Sequence, residues 1–170
     1  MPLLQKVRGY FPIIHTDTFI AENATITGDV VIERGSSIWY NSVIRGDVNS
    51  IRIGKEVNIQ DGAIIHCTFH KSISTIGDRV SIGHRAIIHG CQIESDVLIG
   101  MGAIIMDHVY IPSNVIVGAG ALITENQILE SGFIYTGIPA KKFKALDQSQ
   151  FDFFIKRTAA NYQMYADWVK

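Results

Sequence analysis

Histidines are the side chains in this sequence with the most chemistry to offer near neutral pH, since imidazole can transfer a proton or bind a metal ion. The six histidines are His15, His66, His70, His84, His89 and His108. A lone histidine is usually a surface residue of no consequence. Two of these six occupy equivalent positions, however, because His66 directly follows Ile65 and His89 directly follows Ile88. Their shared position indicates that they act as a pair.

A six-residue internal repeat supplies the elements that must position these histidines. An aliphatic residue, nearly always isoleucine, recurs every six positions from Ile20 to Ile123, with a nine-residue step after Ile44, a longer gap after Ile65 and one five-residue step after Ile88. A small or slim residue recurs four positions after most of these aliphatic residues. Such hexapeptide repeats are typical of parallel β-helices, whereas a sandwich of short strands would not keep a constant step. We therefore predict an all-β solenoid in which three hexads complete one triangular coil, giving roughly six coils.

The repeat predicts where the histidines lie. Ile65 and Ile88 are separated by one coil if the intervening loop skips no face, so His66 and His89 should stack on adjacent rungs, roughly 4.8 Å apart. Arg45 falls in the same column, one rung below. A spacing of this size suits two imidazoles that bind one metal ion.

His84 belongs to the neighbouring face, two places after Ile82, and Asp61 stacks beneath it. Three prisms packed around a threefold axis could bring the His84 face of one chain against the His66 and His89 face of the next. Three histidines with an open fourth position form the ligand set of a hydrolytic zinc centre. The alternative is that these histidines merely fill a trimer interface.

The two cysteines are competing ligands. Cys67 adjoins His66 and Cys91 lies two residues beyond His89, but neither shares the outward position of the histidine column. We interpret both as small packing residues. Two cysteines are too few for a disulfide scaffold and fit a reducing, cytoplasmic setting.

Composition excludes several classes of protein. Charged residues make up only 18% of the chain, which predicts a surface partly covered by a partner, and the net charge of −1 gives no basic field for nucleic acid or an anionic membrane. No apolar stretch approaches the roughly 20 residues of a spanning helix, and the N-terminus lacks the apolar segment of a signal peptide. The 28 isoleucines against 6 leucines disfavour a helical bundle.

The 170 residues are predicted to form one domain, 1–170. The β-helix should occupy about 11–140 and end near Gly137 and Pro139. From about 147 to 169, aromatic and aliphatic residues recur at spacings of three, four and seven, which predicts a C-terminal α-helix packed along the β-helix wall.

These residues together resemble the γ-class carbonic anhydrase family, and closely its short bacterial members often described as carbonic anhydrase-like or ferripyochelin-binding. The matching stretches are Arg45-Gly-Asp47, Asn58-Ile-Gln-Asp61-Gly, His66, Gly83-His84-Arg-Ala-Ile-Ile-His89-Gly-Cys91, Gly100-Met-Gly102 and Gly118-Ala-Gly-Ala121. The similarity extends from about Phe11 to Lys170. It implies a left-handed parallel β-helix and a homotrimer with one metal site at each subunit interface.

The resemblance also implies roles for individual residues. His66 and His89 of one chain and His84 of its neighbour would bind zinc, with iron or cobalt as other candidates. Water bound to zinc becomes hydroxide near neutral pH and would hydrate carbon dioxide to bicarbonate. The remaining roles are that Gln60 orients hydroxide or substrate, Arg45 and Asp47 pair across the interface, Asp61 fixes the arginine or a ligand, and Asn58 helps to hold substrate. For Arg45 and Asp47, an ion pair with no part in the chemistry is an equally good interpretation.

Two departures from the family pattern predict slow turnover. The most active prototype has an acidic residue just after the Arg-x-Asp motif, where this chain has Val48, and a long acidic loop with a proton-shuttling glutamate. Here the loop after His66 is short and contains no acid. His70 is one candidate shuttle, and a plain surface histidine is the other interpretation. Tyr162 of the C-terminal helix could reach the site.

Other functions remain open at this stage. Many hexapeptide-repeat trimers are acyltransferases that use coenzyme A and a catalytic histidine in an intersubunit cleft, for which His70 or His108 could serve. A metal-binding scaffold without catalysis, or a thioesterase-like activity on the same metal, is a further alternative. None of the glycine-rich segments follows a strand and opens a helix as a phosphate-binding loop would.

Overall fold

The strands are short and numerous, as a hexapeptide repeat requires. A computed structural model describes residues 1–169, and Lys170, the end of the predicted domain, lies outside the described residues. In chain order the strands are β1 (Leu3–Gln5), β2 (Ile13–Ile14), β3 (Phe19–Ile20), β4 (Thr25–Ile32), β5 (Ser37–Ile38), β6 (Val43–Ile53), β7 (Asn58–Ile59), β8 (Ile64–His66), β9 (Ser74–Ile76), β10 (Ser81–Ile82), β11 (Ile87–His89), β12 (Gln92–Ile93), β13 (Val97–Ile99), β14 (Ile104–Ile105), β15 (Tyr110–Ile111), β16 (Val115–Val117), β17 (Leu122–Ile123), β18 (Phe133–Gly137) and β19 (Ala140–Ala145).

The strands stack in parallel on three faces of a prism. The histidine face contains β8, β11, β14 and β17 above the first halves of β4 and β6, and the third face contains β9, β12 and β15 above their second halves. The helix face stacks β3, β5, β7, β10, β13, β16 and β18. The predicted β-helix of hexapeptide repeats is therefore confirmed. The seven rungs of the helix face show that the prediction of roughly six coils was one coil short.

The inward column of isoleucines fills the prism. Ile26, Ile44, Ile65, Ile88 and Ile105 follow one another up the histidine face, and each is completely buried. Full burial of each side chain stabilises the fold by about 1.5–3 kcal/mol relative to an exposed one. β-branched side chains suit this role because their restricted χ1 rotamers pack well on a pleated surface. The excess of isoleucine over leucine is thus the signature of the column.

Two irregularities of the repeat give the histidine face its outgrowths. Gly28 of β4 pairs with Gly46 eighteen residues later, whereas Val30 pairs with Ile51 twenty-one residues later, so β6 carries three extra residues in a bulge. The second irregularity is the loop 67–73 between β8 and β9. The first of these irregularities contains Asp47, and the second follows His66.

The parallel order ends after β18, where Gly137 leads through Ile138 and Pro139 into the antiparallel strand β19. A helical segment follows, made of α1 (Gln148–Gln150), a π-helical turn (Phe151–Lys156) and α2 (Arg157–Val169). Asp147 caps it in a capping box with Gln150. The segment packs on β5, β7 and β13 of the helix face. No helix within residues 1–169 has both the length and the apolar character needed to cross a membrane.

Candidate metal centre

His66 and His89 lie side by side on the histidine face. β8 and β11 pair in register, so that the two histidines are direct partners on adjacent rungs, and their ring centroids are 5.3 Å apart. Nδ1 of His66 lies 3.3 Å from Nε2 of His89. The two histidines stack on adjacent rungs as predicted. Their facing nitrogens are close enough to bind one shared ligand.

His66 is held by Asp47 and Arg45. Its Nε2 lies 3.1 Å from Oδ1 of Asp47, whose Oδ2 accepts a 2.6 Å hydrogen bond from Nη1 of Arg45. Burial raises the pKa of the Asp47 carboxyl, but the hydrogen bonds from Arg45 and His66 outweigh it and hold that pKa below its ordinary value. Burial, with the positive charge of Arg45, lowers the pKa of His66 despite Asp47. His66 is therefore biased towards the neutral form, which is the form that binds a metal ion.

Arg45 and Asp47 form an ion pair within one chain, and the expected pairing across a subunit interface stays a prediction. Both residues lie in β6, two positions apart, and the bulge that follows Gly46 turns the carboxylate back towards the arginine. Nη2 of the same arginine also lies 3.4 Å from Nδ1 of His66. Arg45 and Asp47 thus act as one unit beside the first histidine.

His89 has a carboxylate partner that the sequence analysis missed. Its Nδ1 lies 2.8 Å from Oδ2 of Asp107, which enters from the rung above. The other oxygen of Asp107 accepts a hydrogen bond from the hydroxyl of Ser72, in the loop 67–73. Burial raises the pKa of the Asp107 carboxyl, but hydrogen bonds from Ser72 and His89 outweigh it and lower that pKa. The loop therefore supports the histidine through a partly buried carboxylate.

His84 lies just beyond β10, at the corner where the chain passes from the helix face to the histidine face. Its Nδ1 is 2.9 Å from Oδ2 of Asp61, the residue predicted beneath it, and its Nε2 is 3.4 Å from the hydroxyl of Tyr162. Burial, with the charge of Asp61, raises the pKa of Tyr162 to about 12, so the phenol stays protonated. The imidazole itself is 43% exposed and open to a partner.

A single chain does not assemble the three histidines. Within residues 1–169, no group of three or more His, Cys, Asp or Glu side chains is arranged to hold a metal ion. Of the three predicted ligands, the structure brings together His66 and His89 and leaves His84 apart from them. A third ligand has to come from another chain if the pair is to form a complete site.

Gln60 and Asn58 form a buried amide chain below His84. The side-chain amide of Gln60 donates to Oδ1 of Asn58 at 2.9 Å, and its oxygen accepts from the backbone N–H of His84 at 3.2 Å. Asn58 is 1% exposed and donates to the hydroxyl of Ser81. Asn58 is therefore placed to orient Gln60 instead of contacting a substrate itself.

The remaining candidates lie around the centre. His70 is exposed, stacks on Phe69, and shares with Asp47 the lining of a cleft of about 170 Å³. It also shares with His108 a cleft of about 390 Å³. Cys67 and Cys91 are both buried, and burial raises the pKa of each thiol, so both remain protonated. Neither cysteine is prepared to act as a thiolate ligand.

The chain is similar to several known proteins. The family model described as "Bacterial transferase hexapeptide (six repeats)" matches residues 11–46 and 90–125. The chain is 41% identical over 170 residues to "Gamma carbonic anhydrase 1, mitochondrial" of Arabidopsis thaliana, covering 96% of this chain and 61% of the relative. It is 39% identical over 171 residues to "Protein YrdA" of Escherichia coli, covering 97% of this chain and 92% of that protein. The chain thus spans about three-fifths of the length of the Arabidopsis relative.

Among solved structures, a Bacillus cereus protein with a provisional acetyltransferase name superimposes with a TM-score of 0.96 at 34% identity, covering 99% of this chain and 96% of that one. A "hexapeptide transferase family protein" of Anaplasma phagocytophilum gives a TM-score of 0.92 at 35% identity, with 97% and 96% covered. These matches extend over the β-helix and the C-terminal helix alike.

Proposed function

The chain belongs to the γ-carbonic anhydrase-like family of hexapeptide-repeat proteins, and on that premise we propose that it is a homotrimer that hydrates carbon dioxide reversibly at a zinc centre in each subunit interface. His66 and His89 of one chain and His84 of its neighbour are the proposed ligands. The active-site chemistry, the metal and the trimer are all parts of this proposal.

The main observation in support of the proposal is the distance between the facing nitrogens of His66 and His89. Two ligands on a tetrahedral zinc ion, with Zn–N distances of about 2.0–2.1 Å, are separated by about 3.3–3.4 Å. Nδ1 of His66 and Nε2 of His89 are 3.3 Å apart. The donor set also fits, because imidazole nitrogens are good zinc ligands. This spacing supports the proposal that His66 and His89 form half of a zinc site.

The hydrogen bonds of the three rings agree with this assignment. Each histidine turns one nitrogen towards a carboxylate, and these partners are Asp47 for His66, Asp107 for His89 and Asp61 for His84. A carboxylate on the second nitrogen fixes the tautomer and orientation of a metal-binding histidine. The nitrogen that does not face a carboxylate is Nδ1 in His66 and Nε2 in His84 and His89. His84, exposed at its corner, would present Nε2, which lies 3.4 Å from the hydroxyl of Tyr162, to a neighbouring chain.

Zinc bound there would lower the pKa of water to about 7 and so supply hydroxide at neutral pH. The protein's own residues would do the rest. Gln60, whose orientation is set by Asn58, would donate its second amide hydrogen to the reacting oxygens. Arg45 supplies a positive charge beside His66, where bicarbonate would form. Tyr162, protonated, limits the space beside His84.

We also propose that turnover is slow in the isolated protein. Val48 stands where the most active family member has an acid, and the loop 67–73 contains no carboxylate to export a proton. Stopped-flow hydration of carbon dioxide should therefore be weak. A rate as high as that of the most active family member would contradict this interpretation of Val48 and the loop.

Elemental analysis of the purified trimer after zinc addition tests the centre directly. We expect close to one metal ion per chain in the wild type, and its loss in His84→Ala, because two histidines alone hold zinc weakly. The control is His15→Ala, since His15 contacts Asp17 and lies outside the site. A metal-free wild-type trimer would refute the proposal.

The acyltransferase alternative is distinguished by its independence of metal. His70 and His108 do line one cleft, and two structural relatives carry transferase names. Acetyl-coenzyme A turnover that survives exhaustive chelation would favour that alternative. Loss of all activity on chelation, restored by zinc, supports the metal centre.

A further inference from the structure

A cleft of about 390 Å³ lies between the loop 67–73 and the turn that joins β14 to β15. Thr75, Gln92 and Tyr110, which pair in register on successive rungs of the third face, contribute to its lining. The three histidines proposed as zinc ligands do not line it. The cleft is therefore separate from the candidate metal centre, and the proposed hydration of carbon dioxide gives it no role.

Basic side chains line this cleft, and among residues 1–169 no carboxylate does. The basic residues are His70, Lys71 and His108, and all three are exposed. The chain contains 15 lysines and arginines against 16 aspartates and glutamates, so a lining of one sign is not a property of the whole surface. The lining therefore favours an anionic ligand.

Three carboxylates lie within two residues of the lining in sequence, and each of them has a donor of its own. The hydrogen-bond partners are Arg45 for Asp47, Gln92 for Glu94, and His89 together with Ser72 for Asp107. These carboxylates do not take up the ammonium of Lys71 or the imidazoles of the cleft. The donors of the cleft thus remain for a ligand.

An aromatic stack holds His70 in the lining. Its ring centroid lies 3.8 Å from that of Phe69, and the guanidinium of Arg8 lies 5.0 Å from the centroid of the same phenyl ring. Arg8 in turn donates to the backbone carbonyl of Val48 at 3.4 Å. A side chain that is already held in place loses less conformational freedom when a ligand binds to it.

A phosphate group is the anion that suits these donors. The ammonium of Lys71 has three N–H donors and each imidazole has at least one, while a phosphate group has three or more acceptor oxygens. The cleft has more room than one phosphate group requires, and the side chains of Ile73 and Tyr110 line it as well. The ligand class is therefore a phosphate group, either free or carried by a small organic molecule as its ester.

We propose that this cleft binds a phosphate group through His70, Lys71 and His108, and that its occupation holds the loop 67–73 against Asp107. The binding itself does not depend on the proposed metal centre, whereas the effect on the centre rests on that proposal. No bond is made or broken in this step.

Ser72 links the cleft to the candidate centre. It lines the cleft, and its hydroxyl donates to Asp107, the carboxylate partner of His89. A phosphate group that orders the loop therefore also orders the carboxylate behind one proposed zinc ligand. Zinc and phosphate should each raise the affinity of the protein for the other by the same factor, about fivefold or more.

Calorimetric titration of the zinc-free chain with inorganic phosphate and with phenyl phosphate tests the binding. Lys71→Gln should weaken it about tenfold or more, because a charged donor is lost. His108→Gly should weaken it about fivefold. This glycine relieves the backbone, since His108 has a left-handed φ of +60°. Lys55→Gln, which removes an exposed lysine outside the cleft, is the matched control and should bind as the wild type does.

The two probes distinguish the two sources of the phosphate group. Tighter binding of phenyl phosphate identifies an ester whose organic part contacts Ile73 or Tyr110, whereas equal or weaker binding identifies free phosphate. The assignment of the cleft would be overturned if neither probe bound at millimolar concentration, or if Lys71→Gln and Lys55→Gln bound phosphate equally well.

Competition with a zinc chelator, with and without saturating phosphate, tests the effect on the metal centre. The zinc affinity of the wild type should rise about fivefold in phosphate. Ser72→Ala should still bind phosphate but lose this increase, and Lys71→Gln corrects for zinc that phosphate itself holds.

The outcomes separate this inference from the proposed function. Phosphate binding by a protein that never takes up zinc would refute the metal centre and leave the cleft assignment standing. Zinc uptake and carbon dioxide hydration without any phosphate binding would refute the cleft assignment alone. A zinc affinity that saturating phosphate does not change would refute the link through Ser72.

Discussion

At the scale of single residues, the candidate centre is organised by carboxylates that do not themselves face the proposed metal. Asp47, Asp61 and Asp107 each accept from one nitrogen of one histidine and leave the other nitrogen of that ring without a carboxylate partner. A neutral imidazole has one donor and one acceptor nitrogen, so each carboxylate selects the tautomer. Asp47 and Asp107 are also held through their second oxygens, by Arg45 and by Ser72 respectively.

The change Asp107→Asn tests this orientation. The amide keeps the size of the side chain but lacks the charge and offers its own N–H, so His89 loses its tautomer selection. We expect zinc affinity to fall about 10–100-fold, as is typical for such outer partners. Competition with a chromophoric chelator measures it. Asp96→Asn, which removes a carboxylate paired with Arg79 away from the histidines, is the control and should leave the affinity unchanged.

The sequence predicted some of these residues and not others, for a geometric reason. His66 and His89 followed from the repeat because they sit on strands, where register alone fixes the outward column. Asp61 and His84 lie in turns, but they occupy equivalent positions of successive coils, so the period also placed Asp61 beneath His84. Asp107 lies in the turn after β14, and Ser72 lies in a loop. A side chain in a turn can fold back onto the rung below, and no periodicity records that.

At the scale of elements, the insertions in the repeat contribute supporting side chains to the candidate centre, and the regular rungs position its histidines. The bulge in β6 returns Asp47 to Arg45, and the loop 67–73 brings Ser72 to Asp107. The nine-residue step and the longer gap in the isoleucine period marked both places in the sequence. What each insertion would contact was not predictable, because bulges and loops are set by tertiary contacts.

Two glycines, Gly90 directly after β11 and Gly102 in the turn before β14, give a matched pair of substitutions. Gly90 and Gly102 both adopt left-handed backbone, with φ of +58° and +66°. A methyl group on Gly90 would collide with Asp107 and Ser72, whereas one on Gly102 would meet open space. Gly102→Ala should therefore lower the free energy of unfolding by only about 1–2 kcal/mol. Gly90→Ala should lower it further and weaken zinc binding as well.

Urea denaturation and chelator competition on the two alanine variants measure these effects. Since the backbone strain is nearly the same at both positions, the difference between them reports the contact with Asp107 and Ser72. Equal stabilities and equal zinc affinities for the two variants would mean that the contact between the loop and Asp107 has no influence on the centre.

At the scale of the whole molecule, the histidine face carries a partly exposed apolar row. Ile64, Ile87 and Ile104 pair in register two positions before the histidine column, and Ile64 and Ile104 are 40% and 38% exposed. An apolar row beside an incomplete metal site is what a face shared between subunits requires. The low charge content of the chain predicted a surface partly covered by a partner, and we expect a second subunit to cover this face.

The change Ile64→Glu tests that assembly and its link to the metal. A buried, unpaired carboxylate opposes association, so the variant should move from trimer towards monomer in light scattering. Because His84 of the neighbour is the proposed third ligand, the same variant should lose its metal even though His66 and His89 are unchanged. Ile128→Glu, at an exposed position on the third face, should stay trimeric and loaded. A monomeric Ile64→Glu protein that still binds one zinc ion per chain would show that the site does not depend on a second subunit.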